Sequence, residues 1–83
     1  MPFERLTTAR RKTVGTKQTL KAVQRGQAKV VFVAQDAEAH VSVPLIQACQ
    51  VKGIPIVEVP TMRELGKLCG ILVNCASAAV IED

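Results

Sequence analysis

One uninterrupted apolar segment constrains the fold of this chain more than any other part of the sequence. Residues 29–34 are Lys-Val-Val-Phe-Val-Ala, so β-branched and aromatic residues follow one another without an intervening polar residue. A strand of this kind is buried on both faces of its sheet, which is typical of parallel sheets covered by helices. The segment therefore predicts a strand that lies between two helical layers.

The residues before this strand predict two helices and one short strand. Residues 2–12 have the pattern of a first helix, with apolar residues at three-residue spacing. Residues 13–14 predict a short strand that ends at Gly15. Thr16 is expected to cap a second helix, which runs to about Arg25 and stops at a glycine.

The residues after the strand begin with a connection and a third helix. The connection is expected over residues 35–40 and contains His40. Ser42 and Pro44 are expected to open the helix, and Gly53 stands in the stop position.

A capping box predicts the start of the fourth helix. Thr61 is followed three residues later by Glu64, and Gly70 ends the helix. Gly66, in the helix interior, is expected to permit close packing of the helix on the sheet. A strand is expected over residues 54–59, and Pro55 restricts it to an edge or to a strand start. An apolar loop is expected over residues 71–74, and a final strand over residues 75–81.

The alternation of strands with short helices predicts the α/β class. We expect a three-layer α/β/α sandwich with a four-stranded sheet. A chain of 83 residues is long enough for one domain only, here over residues 1–83. Hydrophobic residues make up 48% of the chain, which is more than a disordered chain contains.

Positive charge is concentrated in the first third of the chain. Residues 1–29 contain eight Lys or Arg and one Glu, whereas residues 30–83 contain three Lys or Arg and six Asp or Glu. Basic charge confined to one part of a chain indicates a surface that binds a polyanion. The alternative, from charge alone, is an ordinary solvated helix surface.

The sequence offers little for catalysis, metal binding or membrane insertion. The single His40 lies in a predicted loop, and the sequence contains no glycine-rich phosphate motif. The three cysteines, Cys49, Cys69 and Cys75, lack the spacing of metal ligands. No apolar run approaches the roughly 20 residues of a membrane span, and the N-terminal residues lack the apolar segment of a secretory signal. We therefore expect a non-catalytic, cytoplasmic protein without a cofactor, a metal ion or membrane contact.

Residues 15–21 are the strongest candidate for a binding site. A strand, a Gly-Thr pair and a helix follow one another there, which exposes free backbone N–H groups and the positive end of the helix dipole. Lys17, Gln18 and Lys21 occupy the first turn and a half of this helix. Such side chains can contact phosphates and base edges. The alternative is a capped helix with a polar outer face and no ligand.

Two separate motifs resemble those of one protein family. Residues 14–21, Val-Gly-Thr-Lys-Gln-Thr-Leu-Lys, are similar to the Gly-Ala/Thr-Asn-Glu-x-x-Lys motif of the ribosomal L7Ae and L30e family of kink-turn RNA-binding proteins. Residues 65–70, Leu-Gly-Lys-Leu-Cys-Gly, resemble its Leu-Gly-x-x-Cys-Gly signature. The resemblance extends from about Leu6 to Ile81 and is strongest to the small bacterial members. Lys17 and Gln18 stand where the archaeal and eukaryotic members have Asn and Glu, and an amide accepts hydrogen bonds more weakly than a carboxylate.

The resemblance implies an α/β/α fold that recognises a kink-turn, a sharply bent RNA helix with tandem sheared G·A pairs and an unpaired bulge. The helix terminus would lie in the widened major groove beside the G·A pairs. Lys17 and Gln18 would contact guanine edges, and Lys21 a base edge or a phosphate. Arg25 would contact the backbone, and the loop after Gly70 would lie against the bulge nucleotides. The RNA-binding residues that the resemblance implies are Gly15, Thr16, Lys17, Gln18, Lys21, Arg25, Leu72, Val73, Asn74 and Cys75.

Two alternatives remain open from the sequence. Leu72 and Val73 are also suited to the core of the domain. A scaffold of the ribosome or of another ribonucleoprotein, with only general RNA affinity, would carry the same basic region. A kink-turn RNA and the ribosome are therefore the two expected partners. Because the sequence shows no long exposed apolar seam, we expect a monomer.

Overall fold

The computed structural model describes residues 3–83, which form four helices and four strands. The elements follow one another as α1 Glu4–Thr8, β1 Arg11–Val14, α2 Thr16–Gln24, β2 Val30–Ala34, α3 Ala39–Lys52, β3 Ile56–Val59, α4 Met62–Leu68 and β4 Ser77–Glu82. The expected α/β class and the four-stranded sheet are confirmed.

The sheet is mixed, with the strand order β1-β4-β2-β3. Strand β2 pairs in parallel with β3 and antiparallel with β4, and β4 pairs antiparallel with β1. All five residues of β2 are buried, as the apolar segment predicts. The expectation of parallel neighbours holds for one of the two strands beside β2.

Helices cover both faces of the sheet, which confirms the three-layer α/β/α arrangement. Leu6 of α1 and Leu65 of α4 pack against Phe32 on one face. Val23 of α2 and Leu45 of α3 belong to the core cluster on the other face. These five side chains are at most 1% exposed, so each of the four helices is anchored by buried apolar groups.

The first predicted helix is wrong in its second half. Helix α1 ends at Thr8, and strand β1 begins at Arg11 rather than at residue 13. Pairing with β4 explains the difference, because the backbone N–H of Arg10 donates to Asp83 O at 3.4 Å and Arg11 lies opposite Glu82. Contacts between the two ends of the chain therefore override the local helical pattern. The predicted helix start at residue 2 lies outside the described residues.

The third helix begins three residues earlier than predicted. It starts at Ala39, so His40 lies in its first turn and Pro44 inside it. Glu38 is the N-cap, and its carbonyl accepts from the N–H groups of Val41 and Ser42 at 2.9 and 3.1 Å. Pro44 lacks an N–H for the carbonyl of His40, four residues before it, and both residues are exposed.

The last strand is observed at Ser77–Glu82 rather than over residues 75–81, but several other predicted boundaries are confirmed. The Thr61 hydroxyl accepts a hydrogen bond from Glu64 N at 3.1 Å, as the capping box requires. Gly53 and Gly70 have φ values of +69° and +77° and follow the ends of α3 and α4. Pro55 precedes β3, which is an edge strand. Local residue chemistry is sufficient to set these ends.

Candidate nucleic-acid interface

Helix α2 presents an open N-terminus at one end of the sheet. Gly15 is its N-cap, with a φ of +95° that favours glycine, and Thr16 is the first helical residue rather than the cap. The N–H of Thr19 donates to Gly15 O at 3.0 Å, and no side chain caps the N–H groups before it. The first turn contains no acidic residue. The positive end of the helix dipole is therefore free to attract an anion.

The long polar side chains of α2 point away from the core. Lys17, Gln18, Lys21 and Arg25 are exposed, whereas Thr19 on the opposite side of the helix is buried. The three cations make no ion pair with any residue in 3–83. They are available to a ligand, as the sequence predicts.

Hydrogen bonds from β4 hold the start of α2 in place. The N–H of Gly15 donates to Ser77 O at 2.9 Å, and the hydroxyls of Thr16 and Ser77 lie 2.9 Å apart. Thr13 and Thr19 form a similar hydroxyl pair at 2.9 Å. Because the Thr16 hydroxyl already has a protein partner, Thr16 positions the helix, and its backbone N–H is the group left for a ligand.

The apolar loop between α4 and β4 lies at the surface. Leu72 is fully exposed and Val73 is 69% exposed, while Asn74 is also exposed. The alternative in which Leu72 and Val73 enter the core is therefore wrong. Leu72 and Val73 are adjacent, and contiguous apolar surface of this kind marks binding sites more often than single exposed residues do.

Gly66 of α4 holds this loop close to the helix. Gly66 lies inside helix α4. A Cβ at this position would collide with the backbone carbonyl oxygen of Val73. The expected packing of Gly66 on the sheet is wrong, since the space is needed by the loop. Two further bonds fix the loop, from Ile71 N to Gly66 O at 3.1 Å and from Cys75 N to Met62 O at 3.0 Å.

We predict that Gly66→Ala destabilises the domain although alanine favours helices. Intrinsic propensity would add at most about 1 kcal/mol of stability, but the collision is with the backbone carbonyl of Val73 and should cost about 2–3 kcal/mol and displace the loop. Urea unfolding should show a lower midpoint for Gly66→Ala. Lys67→Ala, at the next helix position, is the control for an alanine in this turn at an exposed position. A Gly66→Ala protein as stable as Lys67→Ala would contradict the close contact.

Cys75 lies in the core, so its side chain does not reach a ligand at the surface. It is 3% exposed, and its thiol donates to Ser77 O at 3.0 Å. The neighbouring Cys69 thiol lowers the pKa of Cys75, whereas Cys75 together with burial raises the pKa of Cys69. Among the residues implied by the resemblance, Cys75 is the one whose side chain the structure separates from the rest. It anchors the C-terminal end of the loop.

Two cations beside the loop were missed by the sequence analysis. Arg63 and Lys67 of α4 line a cavity of about 280 Å³ together with Leu72, Val73 and Asn74. The signal in the sequence is the spacing of residues 63 and 67, which places them on one side of helix α4. The loop therefore offers apolar contacts with positive charge next to them.

The α2 terminus and the apolar loop are joined through the start of β4. Ser77 binds Gly15 and Thr16, and it lies two residues after Cys75, where the loop ends.

Within residues 3–83, no helix is long and apolar enough to span a membrane, and no group of three or more His, Cys, Asp or Glu could hold a metal ion. The arrangement is that of a small α/β/α domain in which an open, basic helix terminus and an exposed apolar loop share one surface, whose charge suits a nucleic acid.

The chain belongs to the ribosomal protein L7Ae/L30e/S12e/Gadd45 family, whose sequence model matches residues 4–83. It is 51% identical over 69 residues to an RNA-binding protein of Caldanaerobacter subterraneus, covering 83% of this chain and 84% of that relative. It is 35% identical over 81 residues to the RNA-binding protein YbxF of Geobacillus stearothermophilus, covering 98% and 99% of the two chains. The resemblance seen in the two motifs is confirmed.

Solved structures share the fold. The 15.5kD RNA binding protein of Giardia lamblia superposes with a TM-score of 0.85 at 28% identity, covering 98% of this chain and 68% of that one. A protein of unknown function from Bacillus halodurans C superposes with a TM-score of 0.82 at 29% identity, covering 96% of this chain and 80% of that one.

Proposed function

We propose that this protein binds RNA, recognises kink-turns and stabilises their bent form without catalysis. One observation carries the proposal: the open, basic N-terminus of α2 and the exposed apolar loop lie side by side, joined through Ser77. A kink-turn offers a partner for each part, because its G·A pairs widen the major groove and its bulge exposes unpaired bases. Both family membership and the names of the relatives support RNA as the ligand.

The α2 terminus reads the G·A pairs in this proposal. Lys17 and Gln18 lie at guanine edges, where Lys donates to O6 or N7 and the Gln amide both donates and accepts. Lys21 contacts a base edge or a phosphate, and Arg25, one turn further along, contacts the backbone. The Thr16 N–H at the positive end of the helix dipole donates to the RNA, and Gly15, bound to Ser77 O, holds this end of the helix in place.

The apolar loop receives the bulge. Leu72 and Val73 pack against the faces of unpaired bases, which a regular duplex hides. Asn74 adds a polar group at the edge of this contact, while Cys75 holds the loop from inside. The fully exposed state of Leu72 supports this role, since burial against RNA would remove apolar surface from water.

Binding shifts a population of RNA conformers. A kink-turn exchanges between extended and kinked forms, and a protein that contacts both arms of the kink binds only the kinked form tightly. The shift is limited by the difference in affinity for the two forms. A monomer in the cytoplasm, free or bound to the ribosome, is sufficient for this activity.

The proposal is tested by fluorescence energy transfer in an RNA duplex labelled at both ends and carrying a kink-turn. Titration with the protein should raise the transfer, because the kink brings the two ends together. The matched control is the same duplex with its G·A pairs replaced by Watson–Crick pairs, which should show no rise. Equal binding of both duplexes without bending would instead favour a ribosome-associated scaffold with general RNA affinity, and a steep salt dependence would accompany it.

A further inference from the structure

A second basic feature adjoins the α2 terminus and was not identified from the sequence motifs. A groove of about 200 Å³ runs between strand β1 and helix α2. The charged and amide side chains that line it on the α2 side of the sheet are Arg11, Gln18, Lys21, Arg25 and Gln27. No carboxylate lines this groove. It is thus a polar channel whose charge is entirely positive.

Strand β1 contributes Arg11 to the groove through an irregularity in its pairing. The register with β4 shifts between Arg11 and Lys12, which lie opposite Glu82 and Val80 respectively. Irregularities of this kind change the direction in which a side chain points. The groove is lined by Ile81 and not by Glu82, so Arg11 is exposed beside α2 rather than paired with the carboxylate opposite it.

The other strand cation is already engaged. The Lys12 ammonium donates to Leu6 O at 3.4 Å, on the side of the sheet that α1 covers. Arg11 has no hydrogen-bond or ion-pair partner for its guanidinium among residues 3–83. Arg11 is therefore the cation that β1 leaves free for a ligand, and it lines the groove with Lys21 of α2 and with Arg25 at the C-cap of that helix.

We propose that the groove between β1 and α2 holds the sugar–phosphate backbone of the double-stranded stem next to the G·A pairs, with Arg11 and Arg25 as phosphate contacts. The chemistry separates this groove from the loop, because cations and amides suit phosphate and ribose whereas Leu72 and Val73 suit bases. Gln18 and Lys21 line the groove and also belong to the α2 terminus, so one RNA strand can pass from one to the other. This inference rests on the proposed function of the α2 terminus.

The groove is tested with Arg11→Gln, which removes the charge but keeps a polar side chain. We expect about a five-fold loss of affinity for a kink-turn RNA and a salt slope reduced by about one, as for one lost phosphate contact. Arg11→Glu should bind more weakly still, because it adds repulsion. Lys52→Gln is the charge-matched control, since Lys52 is exposed on α3, which lies beside the opposite edge strand β3. Circular dichroism of all variants should match the wild type.

The stem contact is isolated by shortening the RNA. When the stem next to the G·A pairs is cut back to the pairs nearest the kink, Arg11→Gln and the wild type should bind equally. If Arg11→Gln binds the full-length stem as well as Lys52→Gln does, the groove proposal is wrong. If the wild type does not distinguish the kink-turn from the control duplex, the proposed function fails, whatever Arg11→Gln does. The two failures are therefore separate results.

Discussion

Replacing both lysines at the start of α2, Lys17→Ala together with Lys21→Ala, is expected to weaken kink-turn binding by about 100-fold or more. Each lysine is exposed and makes no ion pair among the described residues, so its charge is available to the RNA. A base or phosphate contact of this kind contributes about 1–3 kcal/mol, and about 1.4 kcal/mol corresponds to a factor of ten. Each single substitution should give a smaller loss. Gel-shift titration at fixed salt measures all three variants.

The charge-matched control for each single substitution is Lys52→Ala, on α3. Its effect should be small, because it removes the same charge away from the α2 terminus. The Lys17→Ala, Lys21→Ala protein should keep its unfolding midpoint, since neither side chain contributes to the core. Unchanged affinity in both single variants would exclude the α2 terminus as the RNA site. Equal losses for Lys52→Ala would indicate general attraction to RNA.

Salt separates these effects further. A lysine on a phosphate weakens binding uniformly for all sequences and reduces the salt slope, whereas a lysine on a guanine edge changes the preference for the G·A pairs. Lys17→Ala should therefore reduce the discrimination between the kink-turn and the control duplex. The salt slope and the discrimination measured for Lys21→Ala assign Lys21 to a base edge or to a phosphate in the same way.

Much of the fold could be predicted because local chemistry sets it. The buried strand β2 follows from an unbroken apolar segment, and the start of α4 follows from the Thr61 and Glu64 capping box. Glycines at positions 53 and 70 end helices, since they adopt positive φ values at low cost. These features need only neighbouring residues.

The features that were missed depend on contacts between distant residues. Strand β1 starts early because β4 pairs with it, which a helical pattern over residues 2–12 cannot show. The sequence predicts that Gly66 allows close packing of α4 on the sheet. In the structure, the backbone of Val73, in the loop that follows α4, occupies the space beside Gly66. The burial of Cys75 likewise depends on the position of the loop relative to β4.

The candidate site shows the same division. The exposed face of α2 follows from helical periodicity, so Lys17, Gln18 and Lys21 could be predicted as neighbours. Arg63 lies on a different helix and Arg11 on an edge strand, and tertiary packing alone brings each to its part of the surface. Motif resemblance identifies the residues within a motif and misses those that the fold adds beside it.

A negative charge in the apolar loop is expected to abolish most of the contact with the bulge. Val73→Asp replaces an exposed apolar side chain by a carboxylate that would lie against RNA, and we expect about 50-fold weaker kink-turn binding. Val73 is 69% exposed, so the carboxylate stays solvated in the free protein and folding should be unaffected. Val73→Asn, which removes apolar surface without adding charge, should give a smaller loss. Fluorescence titration measures binding, and circular dichroism monitors the fold.

Val51→Asp is a matched control for this substitution. Val51 is 84% exposed and lies near the end of α3, whereas the loop lies at the end of the sheet where α3 begins. The 14 residues of α3 separate the two positions by about 20 Å of helix. The same chemical change at Val51 should therefore change RNA affinity by no more than about two-fold from the wild type. This small effect is the general repulsion between the RNA and one added negative charge. If Val73→Asp unfolded the domain, the loop would be part of the core after all; if it bound RNA as Val51→Asp does, the loop would have no part in recognition.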